Sequence, residues 1–253
     1  APARLIVIDR SENSLFEIDR ELARVHPDMP RKAVLHDIAN TPRTLELLAE
    51  LKPHVIFHAA AHKHVPMMED HPREALENNF FGTRSIADAA HHAGAERFVM
   101  ISTDKAVNPT SVMGASKRLA ELYCQFLNTQ SSTIYSMVRF GNVLGSACSV
   151  LPIWSEQLSR GGPITVTHAD MTRYFKTIHE AAGLVLQAGA LSTGGEVFLL
   201  DMGQPLRILD LAQRFVRQHG YEPNVDIPIQ ITGIRPGEKL FEELAYSSED
   251  MSP

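Results

Sequence analysis

The stretch Arg97-Phe98-Val99-Met100-Ile101-Ser102-Thr103-Asp104-Lys105 decides how this sequence is read. Arg97 to Ile101 is a short apolar run closed by a polar loop, the pattern of a buried strand. A helical pattern centred on Lys117 to Leu127 follows the loop, and Ile134 to Arg139 reads as the next strand. Strand, loop, helix and strand make a βαβ unit, and sheets built from such units are parallel. Working toward the N-terminus, the alternation continues. Arg4 to Asp9 is a predicted strand with a helix from about Ser14 to Val25 behind it. Ala33 to His36 is a short strand, and Thr41 is the expected N-cap of a helix to about Leu51, with Pro42 in its first turn. Val55 to His58 is a strand ending in Ala59, Ala60 and Ala61, and Pro72 opens a long helix to about Ala93.

Beyond Gly141 the strands become short and isolated (Ile164 to Thr167, Val197 to Leu200, Ile227 to Ile231) and the loops richer in Gly, Pro and Thr. The expectation is an α/β, Rossmann-like doubly wound sheet over residues 1–145, with 146–253 mainly a substrate-binding lobe that returns one strand to the sheet. No GxGxxG or GxxGxxG occurs. The first strand of such a fold and its phosphate-binding turn are therefore expected to be missing, with a gap at the centre of the sheet.

Composition narrows the function. Apolar residues at 44% and charged residues at 21% suit a soluble globular domain, and 253 residues can bury a sizeable core. A formal charge of −6 argues against general affinity for nucleic acid or anionic membrane. Two cysteines, Cys124 and Cys148, make neither a disulfide framework nor a zinc site, which fits a reducing cytoplasm. No apolar run is long enough to span a bilayer, and no metal site is expected.

Asp9 at the end of the first strand can accept hydrogen bonds from an adenosine ribose, favouring NAD over NADP, or can cap the following helix. Arg10 beside it would suit a 2′-phosphate instead. Asp37 and Ile38 are placed to meet adenine, and the small side chains of Ala59, Ala60 and Ala61 leave room for a cofactor. Lys63 and His64, in a loop closed by Pro66, either are solvated or face a substrate phosphate. Asp104 and Lys105 are a surface ion pair or, in a cleft, an acid and a base that perturb each other. Met113 and Lys117 share one helix face.

Thr103, position 113 and Lys117 have the spacing of the Ser/Thr, Tyr-x-x-x-Lys constellation of short-chain dehydrogenases/reductases, with Met113 in place of the Tyr. Ser102 to Pro109, Met113 to Lys117, Arg139 to Ser146, Asp170 to Phe175 and Arg235 to Lys239 together resemble the long bacterial UDP-N-acetylglucosamine 4,6-dehydratases of polysaccharide biosynthesis. The resemblance covers nearly the whole chain. It implies bound NAD, a UDP-HexNAc substrate, C5 retention, homo-oligomers and, in the parent protein, an inner-membrane anchor. It implies oxidation at C4, loss of water across C5 and C6, and hydride return to C6. In that scheme Lys105 is the base at C5, in a neutral form that needs a strongly lowered pKa, and Asp104 is the acid at the C6 oxygen. Thr103 bonds the 4-OH and Lys117 the nicotinamide ribose. Arg139 and Asn142 meet the substrate, and Thr172, Arg173, Arg235 and Glu238 clamp the diphosphate. Read without the resemblance, Arg235 to Glu238 is a loop with capping charges. Asn79 is expected to steady the Thr103 loop or to be an exposed helix position. The rival functions are a 4-epimerase, a C5-inverting dehydratase and a non-catalytic binding or scaffold fragment.

Overall fold

The computed structural model describes residues 2–146, 149–247 and 249; Cys148 lies outside them. The chain runs β1 (Leu5–Asp9), α1 (Glu12–Val25), β2 (Arg31–Leu35), α2 (Thr41–Leu51), β3 (Val55–His58) and α3 (Val65–Asp70). Next comes a nearly continuous helix whose parts are α4 (Pro72–Ala75), a π-helical segment (Leu76–Phe81) and α5 (Gly82–Ala93). The middle of the chain is β4 (Arg97–Ile101), a 3-10 turn (Asp104–Ala106), α6 (Val112–Asn128), β5 (Ile134–Arg139), β6 (Asn142–Leu144), α7 (Val150–Ser159) and β7 (Ile164–Val166). It closes with β8 (Thr172–Arg173), β9 (Phe175–Thr177), α8 (Ile178–Leu191), β10 (Val197–Leu199), β11 (Leu206–Arg207), α9 (Ile208–Gln218) and β12 (Ile229–Ile231).

The main sheet is parallel in the order β10-β5-β4-β3, with Val55 opposite Arg97, Arg97 opposite Ile134 and Met137 opposite Val197. Successive residues of β4 explain its unbroken apolar run. Phe98 and Met100 pack with Ile86, Ala90 and Cys124 on the α5–α6 side, while Val99 packs with Val185 and Ala188 of α8 on the other. A strand covered on both faces has no side to leave polar.

The sheet is split at the gap expected from the sequence. β1 pairs with β2 and β3 with β4, but no hydrogen bond joins β1 to β3 among the described residues. Pairing needs neighbours about 4.8 Å apart, and no described strand lies between these two. The units meet instead through side chains: Arg10 Nη2 lies 3.0 Å from His62 Nε2. A smaller core around Trp154, Ile164, Val166, Phe215 and Ile227 holds the C-terminal segment, where β7 pairs with β12.

Two local expectations change. The cap of α2 is Asn40, whose Oδ1 accepts from Arg43 N, so Thr41 is the first helical residue. The Pro72–Ala93 helix contains a π turn that buries Asn78 and Asn79. No helix among the described residues is long and apolar enough to cross a membrane.

Candidate active site

The loop after β4 is stitched to the end of β5: Ser102 N donates to Val138 O (2.7 Å) and Asp104 N to Phe140 O (3.2 Å). This puts Thr103 and Lys105 on the wall of a cavity of about 720 Å³. Ser111 caps α6 by accepting from Gly114 N (3.0 Å), which aims the first turns of that helix at the same cavity. Met113 and Lys117 line it, as their shared helix face requires. Gly114 permits the approach, since a Cβ there would lie 2.2 Å from the Lys105 carbonyl oxygen.

Lys117 Nζ donates to Ile101 O at 2.6 Å. Burial pulls its pKa down to about 8, against weaker upward pulls from Cys124 and Glu121. His58 nearby is held down at about 3 by burial and by Lys117.

Lys105 Nζ donates to Asp104 Oδ1 (2.8 Å) and Asn142 Oδ1 (3.4 Å) and lies 3.6 Å from Glu242 Oε1. Thr103 Oγ1 also donates to Asp104 Oδ1 (2.9 Å). Two sequence expectations are corrected here. Burial does push the Lys105 pKa down, but Asp104 and Glu242 outweigh it, so the net displacement is upward and Lys105 stands as an ammonium. Asp104 is fully buried behind Lys105 and does not line the cavity, so its carboxylate reaches a substrate only through Lys105 or Thr103.

Lys63, His64, Asn142, Arg173, Arg235 and Glu238 all line the cavity. Lys63 Nζ donates to Ser146 Oγ (3.4 Å), and Arg235 pairs with Glu238 at 2.5 Å within one turn. His64 has its pKa lowered by burial, then by Lys63 and Arg235. Arg173 is buried, and its guanidinium donates to the carbonyls of Thr172, Lys239 and Leu240. Thr172 is not on the cavity wall; it ties β8 to the 240 segment by donating its N–H to Leu240 O (3.1 Å).

Arg139 is placed elsewhere than the resemblance implies. It is fully buried, forks onto Glu121 (2.8 Å to each oxygen) and pairs with Glu249, and does not line the cavity. Burial would push the Glu121 pKa up, but Arg139 outweighs this and the net displacement is downward. Because Ser102 Oγ donates to Glu121 Oε1 (2.6 Å), the pair anchors the Thr103 loop from behind. Asn79 likewise steadies a different loop. Its Oδ1 accepts from His62 N, and its Nδ2 donates to His62 O and Ser116 Oγ.

A second, smaller cavity is lined by Asp9, Arg10, Asp37, Ile38, Ala60 and Asn78, and Ala59, Ala61 and His62 line both. Asp9 Oδ1 accepts from Ser11 N (2.7 Å), but the cap of α1 is Ser11, whose Oγ accepts from Ser14 N (3.3 Å), so Asp9 fixes the turn before the helix rather than capping it. Arg10 and Asp37 form an exposed pair at 3.8 Å, and most of the Ile38 side chain is core. The joined cavities suit the two ends of a dinucleotide, with small side chains between them and a buried lysine at one end. No cluster of His, Cys, Asp or Glu suited to a metal occurs among the described residues. Glu242 was missed by sequence reading. Its segment has no periodic signal, and only folding carries it to Lys105.

The capsular polysaccharide biosynthesis protein CapD of Staphylococcus aureus is 52% identical over 250 residues, 98% of this chain but 42% of its own length. The chain thus spans less than half of that relative. A UDP-N-acetylglucosamine 4,6-dehydratase (inverting) of Campylobacter jejuni is 31% identical over 98% of this chain and 71% of its own. A UDP-glucose 4-epimerase of Rickettsia akari is 34% identical over 98% and 72%. The X-ray structure of Pen from Bacillus thuringiensis superposes with a TM-score of 0.89 at 32% identity, over 97% of this chain and 75% of that one. The model of the polysaccharide biosynthesis protein family matches residues 1–253. On its motifs, its Rossmann-type α/β fold and this match, the chain belongs to the polysaccharide biosynthesis protein family of extended short-chain dehydrogenases/reductases.

Proposed function

We propose that the chain carries the chemistry of a nucleotide-sugar 4,6-dehydratase. Its substrate is UDP-N-acetylglucosamine or a close UDP-HexNAc, processed with retention at C5 for a bacterial surface polysaccharide. One observation carries this reading: Lys105, tied to Asp104 at 2.8 Å, faces the cavity beside Met113. No tyrosine is among the described residues that line it. Proton transfer there falls to an amine and a carboxylate, which suits loss of water better than simple epimerisation.

NAD, when bound, supplies the reversible hydride acceptor that oxidation at C4 requires. The chain's own residues do the rest. Thr103 donates to Asp104 and accepts a long bond from Lys105 N (3.4 Å), which leaves one lone pair of its oxygen for the sugar 4-OH. Lys117, near pKa 8, exchanges a proton at neutral pH and can accept the one released there. Lys105 is the group that meets C5 and the C6 oxygen; Asp104 acts through it. Arg173, Arg235 and Lys63 make one wall cationic for the diphosphate, and His64 stands among them with its charged form disfavoured. Asp9 favours NAD over NADP. Residues 1–145 form the cofactor half and 146–253 mainly the substrate lobe, in a cytoplasmic setting.

Self-association belongs to the same proposal. Phe81, Phe80, Tyr123 and Phe126 form a chain of ring contacts across the π segment and α6, with Phe81 and Phe126 exposed. Product NMR after incubation with NAD⁺ and UDP-N-acetylglucosamine in deuterated water tests the reaction. A C6 methyl signal with deuterium at C5 is expected; an intact C6 hydroxymethyl overturns the dehydratase reading. Calorimetry separates a scaffold, which binds neither nucleotide.

A further inference from the structure

The assignment of Lys105 as base meets an obstacle in the structure itself: an ammonium held by two carboxyl groups cannot take a proton. The groups facing it are unequal. Asp104 Oδ1 accepts two short hydrogen bonds, from Thr103 Oγ1 and Lys105 Nζ, and only its Oδ2 is buried with no partner. Glu242 has neither bond. Its Oε1 lies 3.6 Å from Lys105 Nζ and 3.7 Å from Arg173 Nη2, beyond hydrogen-bond length, and its Oε2, like Asp104 Oδ2, is buried with no partner. The side chain is 2% exposed, yet the residue lines the cavity. Arg173 gives little compensation, because its guanidinium is committed to three backbone carbonyls.

We propose that Glu242 is a positioning residue that controls the charge of Lys105. As a carboxylate it holds the ammonium in place. By accepting one Nζ proton, so that an N–H bond breaks and an O–H bond forms, it leaves a free amine facing the cavity and itself becomes neutral. Net charge is conserved and no further reactant is needed. The direction of the Glu242 pKa agrees: burial raises it, Asp104 adds to the rise, and Lys105, Arg173 and Lys239 oppose it without reversing it. This inference rests on the dehydratase reading for its purpose but not for its test.

The test compares the wild-type chain with Glu242→Gln and Glu242→Asp. Acetylation of Lys105 by acetic anhydride, followed across pH by peptide mass spectrometry, reads the lysine's titration with no cofactor present. Removing the neighbouring charge in E242Q is expected to lower that midpoint by about one unit or more, and E242D to restore part of it. In turnover, E242Q is expected to lose at least about tenfold in kcat with KM little changed, and the rising limb of the pH profile to move down with Lys105. An unmoved Lys105 titration in folded E242Q overturns the proposal. If E242Q does not fold, carboxyl ¹³C NMR of the wild-type chain decides instead: a Glu242 that titrates at the ordinary value of about 4.3 overturns it. The two readings fail separately. A shifted Lys105 in a chain that makes no dehydrated product sinks the reaction and keeps Glu242, and turnover with an unshifted Lys105 does the reverse.

Discussion

Replacing Gly114 by alanine is the sharpest probe of how α6 and the Lys105 loop are joined. The added Cβ would sit 2.2 Å from the Lys105 carbonyl oxygen and 3.1 Å from the Ser111 hydroxyl oxygen. Ordinary contact begins near 3.4 Å, so the loop or the helix must retreat by more than 1 Å. The obstacle is backbone, and no change of rotamer relieves it. In an open helix the same change would stabilise by about 1 kcal/mol. Overpacking costs about 1–3 kcal/mol, and a backbone obstacle belongs at the upper end of that range, so the net expectation is a loss approaching about 2 kcal/mol. For a chain of this size that corresponds to a fall in Tm of about 4–8 °C. Displacing a proton-transfer group by about 1 Å costs on the order of 10²-fold in rate. The assay pairs thermal unfolding by circular dichroism with dehydratase turnover, and both should fall. A G114A chain with wild-type or higher Tm and undiminished turnover would refute the reasoning.

Three further outcomes follow from the site. Glu121→Gln removes one of the two carboxylates on the buried Arg139 guanidinium and leaves Glu249, so it should cost about 3 kcal/mol, the low end for a broken buried pair, by chemical denaturation. Because the folded pKa of Glu121 is depressed, its contribution is present above the unfolded value and lost as pH falls through the folded one, so the wild-type advantage over E121Q should shrink in acid. Lys117, at about 8 when folded, has a slope of the same sign in a higher pH window. The unfolded chain binds more protons between about 8 and its model value of 10.5, so wild-type stability relative to Lys117→Met should rise with pH across that window. Asp9→Asn should weaken NAD⁺ binding more than NADP⁺ binding by calorimetry, since it removes both the ribose acceptor and the charge that repels a 2′-phosphate.

Much of this was legible in the amino-acid order because it depends on local rules. The apolar run from Arg97 to Ile101 implied a strand of a parallel sheet, and β4 is one. The fourfold spacing of Met113 and Lys117 implied a common helix face, and both reach the cavity. Smaller errors came from local competition. Asn40 and Thr41 are both capping residues, and position alone did not choose between them.

What the sequence by itself determined is the parallel α/β frame, the family and the neighbourhood of Thr103, Asp104, Lys105 and Lys117, because periodicity and short motifs act over a few residues. Tertiary structure alone decided the electrostatics. It took Arg139 out of the cavity to neutralise Glu121, hid Asp104 behind Lys105, and brought Glu242 from far along the chain to the lysine amine. A charge's partners and its exposure to water are set by three-dimensional packing, and no spacing along the chain encodes them.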